Sequence, residues 1–340
     1  MRTRIVLAGG LNCAQSLEWA RRGFERAGCD VLYRASQEHV GKKKPFRVAV
    51  EAEIMEALKG GADMLYWWQA QNGARLEFLK ELKARFPHVH LVSQSIDDPY
   101  LLLKRAPECL SGFDVAATCC IASKKWYEDR EVKPLVIMPV VDRDFHGVAV
   151  AGADYECDIS FEATNVYPKE QYPGVIASRG EMVEAVRDLG GLNLYGPWDK
   201  KSYGWGTEYA GDIERNRASY RGWIHWTIEP YVYAASRINL SSHVVVGSEA
   251  YGYLNMRTVH ATASGGFVLC DRVAGIEEWF EEDKEIVLWG SLAELREKAR
   301  WWLAHDKERQ RVAAAGRVRS LKQFDNQRAA EQILKVCGLR

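Results

Sequence analysis

Arg257, His260 and Asp271 fall within one stretch, Asn255-Met256-Arg257-Thr258-Val259-His260-Ala261-Thr262-Ala263-Ser264-Gly265-Gly266-Phe267-Val268-Leu269-Cys270-Asp271. Its residue types suit a ligand rich in phosphate and hydroxyl groups. The stretch reads as a short amphipathic helix with a polar start at Asn255, a paired-glycine turn and a buried strand ending in an acid. A guanidinium just inside a helix start can neutralise a diphosphate, and the free N–H groups and partial charge of the helix N-terminus add to the pull. His260, one turn on, offers an imidazole to a ribose hydroxyl. Gly265 and Gly266 carry no Cβ to hold a ligand off the backbone. Asp271 is expected to face the same site.

Other candidates lie at predicted strand ends. Tyr195-Gly196-Pro197-Trp198 joins a turn to an aromatic plate, which either holds a base or packs. Gly9-Gly10 follows the first strand, where backbone could approach a phosphate, or simply forms a tight turn. The run Gly9-Gly10-Leu11-Asn12-Cys13-Ala14 lacks G-x-G-x-x-G, so a nicotinamide fingerprint is not supported. Asp97-Asp98-Pro99 follows a strand. Either carboxylate is a candidate base or acceptor-orienting group, or caps the helix after Pro99. Asp142, Asp144 and His146 sit in a stretch that reads as a solvated linker. No His, Asp and Glu set shows ligand spacing, so no metal is expected.

The elements that must position these residues alternate short apolar runs with helical patterns. Strands are expected at Ile5–Ala8, Asp30–Tyr33, Asp63–Trp68, His90–Gln94, Asp114–Thr118 and Leu135–Pro139, with helices between them. The rhythm lapses over 141–153. It resumes with strands at Asp158–Phe161, Leu192–Tyr195, Arg237–Leu240 and Ile286–Leu288, and Ser291 with Glu294 suggests a capping box. Alternation with short connections means doubly wound parallel sheets, an α/β class. At 340 residues the chain fits two such domains. Their carboxyl-end edges are expected to face each other across a cleft that brings two substrates together.

Composition excludes some functions. Forty-six basic residues balance 46 acidic ones, so no global field draws the chain to nucleic acid or membrane, although a local basic patch remains open. No apolar run approaches the roughly 18 residues of a spanning helix, and the N-terminus lacks the apolar core of a signal peptide. The eight cysteines form no C-x-x-C pair and mostly sit in apolar contexts, which suits buried free thiols in a reducing cytoplasm. Most of the 12 tryptophans are expected to pack.

From about Ser236 to Leu339 the chain resembles the C-terminal glycosyl transferases group 1 domain of CgeB-like spore maturation proteins. The residues that carry this are Ser236-Arg237-Ile238-Asn239-Leu240, Asn255-Met256-Arg257-Thr258, Ala263 through Asp271, Phe280, Glu285-Ile286-Val287, and Leu292 through His305. Asp97-Asp98-Pro99, Phe113-Asp114 and Pro139 match the N-terminal half more loosely. The resemblance implies a GT-B glycosyltransferase of two Rossmann-like domains. Residues 1–150 would form an acceptor-side domain and 151–325 a domain holding a nucleotide-sugar donor, a UDP-sugar first among them. A helix over 326–340 would pack back on the first domain. No metal or other cofactor is required. Arg257 would contact the donor diphosphate, with Gly265 and Gly266 lining its approach. Where the family carries a glutamate for the ribose, this chain has His260.

The implied chemistry is displacement at the anomeric carbon. Arg257 would stabilise charge on the departing diphosphate, and Asp97 or Asp98 would deprotonate an acceptor hydroxyl. A non-catalytic nucleotide- or glycan-binding module, and an epimerase or hydrolase on the same architecture, remain open. So does the acceptor: a surface glycan, a protein, a metabolite or a hydroxymethylated DNA base. The last would use basic strips such as Lys42-Lys43-Lys44, Lys124-Lys125 or Lys200-Lys201.

Overall fold

A computed structural model describes residues 2–9, 14–35, 46–70, 74–96, 108–163, 175–196, 198, 219–244 and 247–340. The chain divides into two compact units, one made of Met1–Asp142 with Phe324–Arg340 and the other of Arg143–Gln323.

The first unit is built on strands β1 (Arg4–Gly9), β2 (Asp30–Ala35), β3 (Met64–Trp68), β4 (His90–Ser95), β5 (Val115–Thr118) and β6 (Lys133–Val136). They form one sheet in the order β2-β1-β3-β4-β5-β6, and every pairing is parallel. Each strand of a covered parallel sheet is buried on both faces, which is why β3 reads Met-Leu-Tyr-Trp-Trp without a polar residue. Val6, Leu65 and Trp67 pack on one face with α2 (Phe46–Lys59) and α3 (Leu76–Arg85). Ile5, Leu7 and Tyr66 pack on the other with α1 (Ala14–Arg26) and the C-terminal helix Asn326–Val336. Gly23 of α1 is where that last helix comes closest: a Cβ there would lie 2.4 Å from the Asn326 carbonyl oxygen.

Three expectations are corrected here. The last strand spans Lys133–Val136, two residues before the apolar run that suggested it. The helix expected between the fifth and sixth strands opens as a 3-10 turn over Ile121–Ser123 before it continues as α4 (Lys124–Glu128). Asp142 is not solvated; its carboxylate is fully buried, 2.9 Å from Arg26 and 3.4 Å from Arg22. A buried carboxylate persists only when paired, and two arginines of α1 meet that need. Every described cysteine is a free thiol, and all but Cys157 are buried.

The second unit carries β7 (Cys157–Glu162), β8 (Leu192–Tyr195), β9 (Tyr220–Gly222), β10 (Ser236–Ser241), β11 (Val268–Asp271) and β12 (Val287–Trp289). The sheet order is β12-β11-β10-β7-β8-β9, again parallel throughout. Its helices are α5 (Arg179–Val186), α6 (Glu229–Ala235), α7 (Met256–Ala263), α8 (Leu292–Ala304) and α9 (Asp306–Gln323). From β7 the chain winds outward through α5 to β8; from β10 it winds the other way through α7 to β11. Right-handed crossovers in opposite directions place α5 and α7 on opposite faces. The direction of winding therefore switches between β7 and β10, and in open α/β sheets the carboxyl ends at such a point are where a ligand crevice forms.

Helix starts are specified locally. Ser178 and Glu181 form a full capping box ahead of α5. At α8 the expected box is half made: Ser291 Oγ accepts from Glu294 N, but the Glu294 carboxylate takes the Gly290 N–H instead.

Candidate functional site

The crevice between β7 and β10 gathers several polar groups. β7 ends at Glu162, and β10 ends at Ser241, followed by Ser242 and His243. Helix α7 begins beside them because Asn255 ties it down. The Asn255 side chain accepts a hydrogen bond from Thr258 N at 2.8 Å and donates one to the Ser242 carbonyl at 2.8 Å. An asparagine N-cap answers one of the unpaired amides of the first turn and holds the helix start at the strand end.

His243 and Asp271 fix the same corner from below. Asp271 accepts from the His243 backbone N–H at 2.7 Å and lies 2.7 Å from its Nδ1. The Asn255 backbone N–H points at His243 Nε2, at 3.1 Å. Since Nε2 must accept, the ring proton sits on Nδ1 and is donated to Asp271. The chain Asp271–His243–Asn255 thereby anchors the start of α7. Asp271, expected to face ligand, is buried at this anchor.

With Cys270, these residues form the one cluster among those described whose ligating atoms are close enough to hold a metal. The sequence spacing did not reveal it, because His243 and Cys270 are brought together only by strand pairing. The tautomer argues against metal there: an Nδ1 bound to metal would leave Nε2, already facing a donor, as an imidazolate. Burial also pushes the Cys270 thiol well above its ordinary pKa.

Arg257 lies in the first turn of α7, its side chain mostly buried. Its Nε has no hydrogen-bond partner and stands 3.8 Å from Glu162, while the guanidinium lies 5.7 Å from the centre of the Phe161 ring. A buried guanidinium N–H without an acceptor costs free energy until one arrives. The Glu162 carboxylate accepts from the Tyr233 hydroxyl at 2.5 Å. Burial, and then the Glu162 charge, push that phenol well above its ordinary pKa, so it stays a donor. A second guanidinium stands at the start of α5, where the buried Arg179 donates from Nε to Ser242 Oγ at 3.2 Å. Arg179, Glu162, Tyr233 and His243 were not singled out from sequence. The Ser178-x-x-Glu181 capping signature would have marked Arg179 as a helix-start cation.

The remaining candidates fall elsewhere. His260 is buried one turn along α7, its ring 4.5 Å from that of His146, so the latter is not in a solvated linker either. Gly265 and Gly266 lie at the opposite end of α7 from Arg257. Gly265 is left-handed at φ 84°, its N–H bonds the Thr262 carbonyl, and the Gly266 N–H bonds that of Ala261. That is a Schellman turn ending the helix, at the amino end of β11. A Cβ on Gly266 would lie 2.5 Å from Asn239 Nδ2 and 2.7 Å from the Tyr233 carbonyl oxygen. The pair meets a need of backbone geometry and packing at that end of the helix. Tyr195 is buried at the end of β8, with Asn193 Nδ2 3.4 Å from its hydroxyl. Gly196, at φ 101°, has the Ala163 carbonyl oxygen where a Cβ would go. Trp198 packs on Phe161 and donates to the Tyr195 carbonyl, so the aromatic plate is core. Gly9 closes β1 in the first unit. Gly10, Asp97 and Asp98 lie outside the described residues.

Residues 179–335 match the family model described as glycosyl transferase-like. No curated protein sequence matches the chain. Among solved structures, it is similar to a sucrose-phosphate synthase from Thermosynechococcus elongatus, at 13% identity over 98% of both chains with a TM-score of 0.69. The Anabaena protein Alr3699/HepE in complex with UDP and glucose matches over 100% of both chains at 14% identity and a TM-score of 0.65. An alpha-glucosyltransferase in complex with UDP-glucose and DNA containing an abasic site matches over 99% of both chains at 13% identity and a TM-score of 0.69. The two parallel sheets are thus those of the GT-B fold. A glycosyl transferase-like domain spans residues 179–335 of the chain. No described helix is long and apolar enough to cross a membrane.

Proposed function

We propose that this protein moves a sugar from a UDP-sugar to an acceptor hydroxyl in the cytoplasm, with the donor diphosphate held at the start of α7. One observation carries the reading: the Arg257 Nε is buried, unpartnered and placed at a helix N-terminus beside the switch point of the sheet. A diphosphate supplies the missing acceptor, and the first-turn amides of α7 add their partial charge. Solved structures of this fold hold UDP and UDP-glucose, which supports the choice of donor.

As the anomeric C–O bond breaks, negative charge grows on the departing diphosphate. Arg257 sits where it stabilises that charge more in the transition state than in the ground state. The proton leaving the acceptor hydroxyl is assigned, on sequence grounds, to Asp97 or Asp98. The acceptor class is left open by the balanced net charge.

Calorimetric titration of UDP and UDP-glucose tests the reading. Both should bind, Arg257→Ala should lose roughly 10- to 100-fold of each affinity, and released UDP should accumulate from UDP-glucose. Equal affinities in wild type and Arg257→Ala would sink it. A non-catalytic binding role is favoured by His260, buried against His146 where the resembling family has a glutamate. Binding without any release of UDP, in the presence of glycan, protein and DNA acceptors, would establish that role instead.

A further inference from the structure

Glu162 is an unexpected neighbour for a diphosphate. Its carboxylate lies at the end of β7, is held by the Tyr233 hydroxyl at 2.5 Å and stands 3.8 Å from Arg257 Nε. Its side chain is a quarter exposed at the carboxyl end of β7. The Arg257–Glu162 separation is too long for a hydrogen bond, so the carboxylate leaves the guanidinium free to take another acceptor. It still imposes a fixed negative charge beside that acceptor, and the buried phenol keeps it from swinging away.

We infer that Glu162 is a specificity-determining residue that makes the crevice prefer a nucleotide sugar to the free nucleoside diphosphate. The inference rests on the placing of the diphosphate at Arg257 proposed above. The diphosphate of a nucleotide sugar is a diester bearing about two negative charges. Release of the sugar leaves a terminal phosphate whose second pKa is about 6, so the product carries close to three at pH 8. A carboxylate a few ångströms away repels the third charge and spares the diester. The donor is held and the product is expelled. Arg257 alone would do the opposite, gripping the more charged product harder.

Glu162→Gln removes the charge while leaving an oxygen that still accepts from Tyr233. Titration of UDP and UDP-glucose at pH 8 should show UDP binding tightened by about three- to tenfold and UDP-glucose by much less. The ratio Kd(UDP)/Kd(UDP-glucose) therefore falls by about twofold or more. A ratio unchanged within error, or a loss of UDP-glucose affinity greater than that of UDP, would overturn the inference; the second result would make Glu162 a hydroxyl acceptor. If Glu162→Gln does not fold, Tyr233→Phe, which only unpins the carboxylate, should shift the ratio the same way by a smaller factor, and no shift there overturns it equally. The two readings fail separately. If Arg257→Ala loses both ligands but the Glu162→Gln ratio stays put, the inference alone falls. If Arg257→Ala changes neither affinity, or wild type binds neither ligand nor inorganic pyrophosphate, the diphosphate site falls and takes the inference with it.

Discussion

The two ends of helix α7 carry different residues and do different jobs. At its N-terminus, Asn255 caps, His243 and Asp271 brace, and Arg257 presents a buried N–H without a partner. At its C-terminus, Gly265 and Gly266 form a Schellman turn packed against Asn239 and the Tyr233 carbonyl. The eight-residue helix is about 12 Å long, so the ends lie at opposite edges of the sheet. Glycines next to a strand suit a phosphate when they precede a helix. When they follow one, they end it. Chain direction decides between the two, because only the N-terminal end offers free N–H groups.

That contrast can be broken by substitutions at each end. The largest effect is expected from Arg257→Ala, which should lower nucleotide affinity by roughly 10- to 100-fold while moving unfolding free energy by less than about 1 kcal/mol, as read by titration and chemical denaturation. A large stability loss with affinity intact would reverse the assignment. Gly266→Ala should cost about 2 kcal/mol of stability by overpacking against Asn239, with the affinity of the folded fraction unchanged. A selective loss of nucleotide binding there would return the glycines to the ligand. Asn255→Ala sits between the two roles. Loss of the cap should cost about 1 kcal/mol and weaken nucleotide binding a few-fold, because the α7 amides lose their fixed direction. Smallest is Gly265→Ala, expected to cost about 1 kcal/mol for a Cβ in a left-handed conformation, with the nearest outside atom 3.5 Å away at Arg317. Thermal melts of the two glycine variants would rank them, and Gly265→Ala proving the worse would mean that strain, not packing, governs the turn.

Two acids teach the same lesson from different units. Asp142 sits in a stretch without periodicity, so sequence gave no reason to bury it. Yet Arg22 and Arg26, one turn apart on α1, wait for a carboxylate from far along the chain. Glu162 follows the last apolar residue of a strand, with nothing in its neighbours to mark it as the acid placed beside Arg257. Neither environment can be computed from neighbours in sequence, since each depends on which helix crosses which strand.

What the sequence determined by itself is substantial. Apolar runs buried on both faces, separated by helices of amphipathic pattern, require parallel sheets, and both sheets follow apart from the short edge strand β9, which no apolar run marks. The Asn255 cap, the Arg257 cation and the paired glycines were visible as residue types. Only the tertiary structure decided their roles. Strand order put the switch point between β7 and β10, helix direction sent the glycines to the far edge, and pairing of β10 with β11 set His243 on Asp271. A local pattern records which groups are available. Long-range packing decides which of them lose their water and their partners, and the buried Arg257 Nε, left without a hydrogen bond, is what the proposed diphosphate site rests on.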